Sequence, residues 1–131
     1  MVVLDTSAAF HIAVQTNLGK EMSHLIESGE EVVVPSHFDV EFANLLAKYV
    51  EKTNLTLEAA AFYTREISKL ITKRIDTHDL VSEILQEAIR LNSNAYDIAY
   101  LVITRRNAAT LLTGNKTLAD LCKSNGVKVF H

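Results

Sequence analysis

The sequence predicts an α/β layered fold with a mostly parallel sheet. Three observations carry that expectation. Four short runs, VVL at 2–4, VVV at 32–34, ATLL at 109–112 and VKVF at 127–130, are apolar or β-branched and bounded by turn formers. The stretches between them repeat apolar residues at the helical period of three or four. Strands that alternate with helices need crossover connections, which place neighbouring strands parallel. The 131 residues make one domain over 1–131, large enough to bury roughly two thirds of the surface its unfolded chain exposes.

The first strand ends in Asp5, Thr6 and Ser7. A carboxylate beside a core is costly unless it is solvated, hydrogen-bonded or bound to a cation. Asp5 therefore either caps a helix beginning near Ser7 or holds a cation. Gly29 follows a helical pattern and precedes VVV, as a helix stop does. After VVV and Pro35, the stretch PSHFDVEFANLLAKYV offers Ser36 and Asp39 as a capping box. Its apolar face is Phe38, Phe42, Leu45, Leu46 and Tyr49, and Glu41 falls roughly 60° from the centre of that face. His37 lies one turn before Glu41 and reads as a surface residue at a helix start.

Residues 57–71 keep a helical period. In THDLVSEILQEAIRL the residues Leu80, Val81, Ile84, Leu85, Ala88 and Ile89 form one apolar face, with Thr77 as the expected cap. A further helix spans 95–106 in NAYDIAYLVITRR. Asn94 can cap it, and Asp97, its third residue, suits the positive end of the helix dipole. The strand ATLL then leads into the turn Thr113-Gly114-Asn115. Asp120 occupies a solvated position on the last helix, and Gly126 stops that helix before VKVF.

Composition narrows the function. The formal net charge of −3 excludes a general nucleic-acid coat protein, so any nucleic-acid contact must be local. The single Cys122 allows no intramolecular disulfide, and no Cys/His spacing fits a zinc site. His11, His24, His78 and His131 share no ligand spacing either. No apolar run approaches the ~18 residues of a membrane span. An acid at position 5 argues against a secretory leader, so a cytoplasmic, reduced protein without a membrane is expected.

In open α/β sheets, ligands bind outside the carboxyl ends of the strands. Asp5 lies at one such end and the Thr113-Gly114-Asn115 turn at another. Glu41 sits on the helix after the second strand, and Asp97 opens the helix before ATLL. Three carboxylates brought together repel one another unless a hard cation such as Mg²⁺ or Mn²⁺ offsets the charge. Arg105, Arg106 and Lys116 flank the same rim as candidate phosphate contacts, with Lys73 and Arg74 as a second basic pair.

The segments VVLDTSAAF, VPSHFDVEFANLLAKY, NAYDIAYLVITRRNAATLLTGNKTLADL and NGVKVF together resemble a PIN domain, specifically the VapC-type toxin ribonucleases. The resemblance covers nearly the whole chain in the right order. It implies a three-layer α/β/α fold with a mostly parallel sheet and a Mg²⁺ or Mn²⁺ site that cuts RNA. The family's metal-binding acids carry over onto Asp5, Glu41 and Asp97. Thr6 and Ser7 match its water-positioning hydroxyls. In the family the strand before the last helix usually ends in Thr-x-Asp, whereas here the third position is Asn115. The catalytic set implied is therefore Asp5, Glu41, Asp97 and a neutral Asn115. The resemblance further implies a homodimer and a small antitoxin inserting into the acidic cleft.

Two other readings compete. One is a regulatory module on the same fold that binds RNA or protein, with Asn115 having removed a ligand charge. The other is a phosphoacceptor signalling domain, which also places an acid at a strand end. That class resembles a pattern with paired acids after the first strand, and Asp5 is single.

Overall fold

Alternation along very short strands divides the interior between the two faces of one sheet. The computed structural model describes residues 1–27 and 29–131. The strands are β1 (Val2–Leu4), β2 (Val32–Pro35), β3 (Lys73–Ile75), β4 (Thr110–Leu112) and β5 (Lys128–Phe130). They run in the order β3-β2-β1-β4-β5, and every pair is parallel. Val3, in register with Val33 and Leu111, faces one layer of helices. Val2, Leu4, Val32, Val34 and Leu112 face the other. Strands covered on both faces read as continuous apolar runs, which is why VVL and VVV are uninterrupted.

The first helical layer holds α1 (Thr6–Val14), α2 (Asn17–Glu27), α3 (Phe38–Lys52) and α4 (Leu57–Leu70). The second holds α5 (Val81–Leu91), α6 (Ala95–Arg106) and α7 (Lys116–Ser124). The result is a three-layer α/β/α fold with five parallel strands and seven helices among the described residues. The innermost helix is α6: Ile98 through Thr104 are all buried. It therefore has no polar stripe. Cys122 packs in the same layer, where burial, with the nearby charges of Asp5 and Asp97, pushes its thiol up to about 12. Among the described residues no helix is long and apolar enough to cross a membrane.

Four expectations from the sequence need comment. Gly29 and Gly126 do close helices, with φ of 86° and 74° in the left-handed region that glycine adopts without strain. The capping box of Ser36 and Asp39 does not form. His37 holds the cap position of α3 without a side-chain bond, and Asp39 instead accepts from Arg74 Nε and Nη2 at 2.7 and 2.9 Å. Thr77 is likewise no side-chain cap. A 3₁₀ turn at His78–Leu80 separates it from α5. The strand β3 was hidden by its charges: Lys73 and Arg74 are exposed on a sheet edge, and only Ile75 turns partly inward. Charged residues on an edge prevent pairing with other chains, and they also erase the apolar alternation that marks a strand.

Candidate functional site

Starting from β1, the chain adds β2 and β3 on one side, then places β4 and β5 on the other. The switch point thus lies between the carboxyl ends of β1 and β4, where open α/β sheets leave a crevice. Asp5 leaves β1 at this crevice, and Thr113 leaves β4.

Asp5 is the N-cap of α1, and its Oδ1 accepts from the Ala8 backbone N–H at 2.8 Å and from Ser7 Oγ at 2.7 Å. Thr113 Oγ1 donates to its Oδ2. The turn after β4 is tied into the same network. The Gly114 N–H donates to Ser7 Oγ at 2.8 Å, and the Asn115 N–H donates to Thr113 Oγ1 at 3.0 Å. Burial raises the Asp5 carboxyl above its ordinary value, against the lowering effect of Thr113, Ala8 and Ser7. The charge of Glu41 raises it further. Both readings of Asp5 are thus open to one side chain: it caps a helix and stays partly uncompensated.

Glu41 projects from the first turn of α3. Tyr100 of α6, 1% exposed, donates its hydroxyl to Glu41 Oε1 at 2.7 Å. Glu41 Oε2 lies 4.0 Å from His37 Nε2, beyond hydrogen-bonding reach, and that nitrogen is buried without a partner. His37 is therefore not the surface residue expected. Its ring packs edge-on against Tyr96 and Tyr100, with centroids 5.2 and 5.7 Å apart, and burial lowers its pKa.

Asp97 stands in the first turn of α6, which Asn94 caps through Oδ1 to the Tyr96 N–H at 2.8 Å. Its carboxyl is raised by burial and then by the Glu41 charge, with no hydrogen bond acting on it. A cleft of about 460 Å³ opens beside it, lined by Asn94, Asp97, Thr117 and Asp120 among others. The phenol of Tyr100 feels all three acids: burial raises its pKa most, then Glu41, Asp5 and Asp97. Among the three acids, Glu41 is the one that the hydroxyl touches.

The remaining candidates are placed differently. Asn115 is the N-cap of α7, with Oδ1 accepting from the Leu118 N–H at 3.3 Å. Thr6 is the first residue of α1, while Ser7 joins the Asp5 network. Lys116 pairs with Asp120 at 2.6 Å. Arg105 and Arg106 close the helix that Asp97 opens, eight residues or about 12 Å further along. Arg105 is held by Glu83 and Glu87 at 2.9 Å each, and Arg106 by Glu83 at 2.7 Å. These two arginines are not brought to the acids. Tyr100 and the buried face of His37 were missed from sequence. The signal was there for Tyr100, since it lies three residues after Asp97 and so on the same side of the helix.

The oxygen donors fit a hard cation held partly through water. Among the described residues, no three His, Cys, Asp or Glu side chains close on a single ion position. Mg²⁺ commonly takes one or two carboxylates and keeps waters in its remaining positions. Among the described residues, Glu41 Oε2 and the Asp97 carboxylate accept no hydrogen bond, while Asp5 and Glu41 Oε1 have donors behind them. A carboxylate bonded on one side and open on the other is the arrangement of a supported ligand.

An all-parallel sheet with α-helices on both faces and a ligand crevice at its switch point, where Asp5 lies, defines the class of fold. The chain belongs to the PIN domain family, whose profile matches residues 2–124. PIN domains are generally nucleases, commonly bind divalent metals and typically bind RNA. No curated protein sequence matches the chain significantly. The fold is similar to the crystal structure of PAE2754 from Pyrobaculum aerophilum, with a TM-score of 0.77 and 19% identity. That match covers 98% of this chain and 89% of the other.

Proposed function

We propose that the protein is a divalent-metal-dependent endoribonuclease that hydrolyses RNA phosphodiesters at the crevice between β1 and β4. Asp5, Glu41 and Asp97 would hold Mg²⁺ or Mn²⁺, with Asn115 as a neutral fourth member. The observation that carries the reading is the pair of hydrogen-bonded acids at the carboxyl end of the sheet of a PIN domain, Asp5 with Thr113 at the switch point and Glu41 with Tyr100. Raised carboxyl pKa values at Asp5 and Asp97 mark charge that a cation would relieve. When bound, such an ion supplies a more acidic water and an offset to phosphate charge. Ser7 and Thr113 hold the Asp5 carboxylate in place, and a cleft opens beside Asp97. Lys116, at the start of α7, is the basic residue best placed for a phosphate once it leaves Asp120.

By the same resemblance, the protein is the toxin of a toxin–antitoxin pair, cytoplasmic and homodimeric, silenced by a small antitoxin. The test is incubation with a mixed RNA pool in Mn²⁺ or in chelator, comparing wild type with Asp97→Asn. Cleavage that needs Mn²⁺ and Asp97 supports the reading, and cleavage indifferent to either removes it. A second reading, a regulatory module that binds RNA or protein, is favoured by two observations: among the described residues no three donors close on an ion, and Asn115 brings no charge. RNA retention without cleavage would select it.

A further inference from the structure

We infer that Tyr100 is a positioning residue for this site: its buried O–H fixes the Glu41 carboxylate so that Oε2 stays free for a hard divalent cation. The inference rests on the metal-dependent reading above and adds a residue to it.

The interior alone does not call for a phenol at position 100. Its neighbours Ile98, Ala99, Leu101, Val102 and Ile103 are apolar and buried, and phenylalanine would fill the same space without an oxygen to satisfy. A buried hydroxyl is costly without a partner. Tyr100 has one partner for its oxygen, Glu41 Oε1 at 2.7 Å. A hydrogen bond to an ionised acceptor is stronger than a neutral one. The ring itself is held by the helix and by the edge of His37, so the donor does not wander. Glu41, by contrast, has three rotatable bonds and a side chain 29% exposed, and the other group near its carboxylate is His37 at 4.0 Å. Among the described residues, the phenol is the one hydrogen-bond donor to the Glu41 carboxylate.

Tyr100 and Asp97 also share one face of α6, three residues apart. The helix α6, buried from Ile98 to Thr104, therefore presents one acid directly and holds a second from α3. Placing outer contacts on rigid elements is how a site keeps its geometry.

The test compares wild type, Tyr100→Phe, Glu41→Gln and the double variant, by direct Mn²⁺ titration and by crystal structures in chelator. Tyr100→Phe should weaken Mn²⁺ binding about 10- to 100-fold, the range seen when an outer partner of a ligand is removed. In the Glu41→Gln background the same change should bring no further loss, because the phenol acts through Glu41. In chelator, Glu41 should keep one rotamer in wild type and lose it in Tyr100→Phe. Equal Mn²⁺ affinity in wild type and Tyr100→Phe, or an unmoved Glu41, overturns the inference while leaving the metal reading intact. Failure of wild type itself to bind Mn²⁺ instead removes the metal reading, and the inference with it. An equal loss in the Glu41→Gln background would show general damage to the fold and also overturn it.

Discussion

The hydroxyl of Thr113, at the end of β4, donates to Asp5 Oδ2 at the end of β1, so one hydrogen bond joins the two strands at the point where the sheet order reverses. Both residues are buried. The bond is the largest influence lowering the Asp5 pKa, set against the burial that raises it. Thr113→Val keeps the shape and removes the donor. A buried acceptor left unsatisfied costs about 1–3 kcal/mol. Urea unfolding at neutral pH should show a loss of that order. A change indistinguishable from zero would mean that water replaces the hydroxyl.

The pH dependence of the metal-free protein follows from Asp5 and Asp97. Both carboxyls are raised above the ordinary value of 3.8, chiefly by burial. Above that value the folded state binds more protons than the unfolded chain, so these two groups make stability fall as pH rises. The salt-bridged Asp39, Glu83 and Glu87 are lowered and act with the opposite sign, so the comparison must be a difference. Asp5→Asn keeps a side chain able to cap α1 and removes the charge. Measured in chelator from about pH 4 to pH 7, the variant should gain on wild type steadily as pH rises. Added Mn²⁺ should then favour wild type by mass action. A parallel pair of curves with an equal Mn²⁺ response would show that Asp5 neither carries the strain nor binds the ion.

Much of this was legible in the sequence because the signals are local. VVL, VVV and ATLL are runs that only a doubly covered sheet buries, and Asp5 follows directly on the first. Asn94 does cap its helix, as residues of that type do before a helical period, and Asn115, expected only at the site, caps α7 as well. The rest depends on distance in space. Asp39 looked like a cap because its partner, Arg74, is 35 residues away. Arg105 and Arg106 looked like a basic rim because Glu83 and Glu87, which hold them, lie on another helix. Tyr100 shares a helix side with Asp97, which local spacing shows, but its partner Glu41 lies 59 positions earlier.

Two glycines separate steric need from backbone need. A Cβ on Gly19 would stand 2.0 Å from the His11 carbonyl oxygen, where α2 crosses α1, and backbone cannot step aside. Overpacking of this kind typically costs about 1–3 kcal/mol, and Gly19→Ala should reach at least the top of that range. A Cβ on Gly126 meets nothing within 4 Å, but φ is 74°. Gly126→Ala should cost only the left-handed penalty of roughly 1–2 kcal/mol. Denaturant midpoints of the two variants should therefore differ clearly, with Gly19→Ala the less stable.

Asn115 is the position where this chain departs from the Thr-x-Asp pattern, and its placement makes the departure testable without harm to the fold. Its Oδ1 caps α7 by accepting from the Leu118 N–H at 3.3 Å, and aspartate caps a helix as well as asparagine does. Its backbone N–H is anchored to Thr113 Oγ1, which in turn holds Asp5, so the turn that carries position 115 is tied to the Asp5 network. Asn115→Asp therefore adds a charge while leaving helix and turn in place. In chelator the added charge should raise the Asp5 carboxyl further and lower stability, because like charges disfavour one another's ionisation. With Mn²⁺ the sign should reverse: binding tightens, since ligand charge sets cation affinity, and cleavage of a mixed RNA pool accelerates. Asp97→Asn should abolish that cleavage in either background. A destabilised variant that gains neither Mn²⁺ affinity nor cleavage would identify the pocket as one with no use for a fourth acid, and would favour the regulatory module over the nuclease.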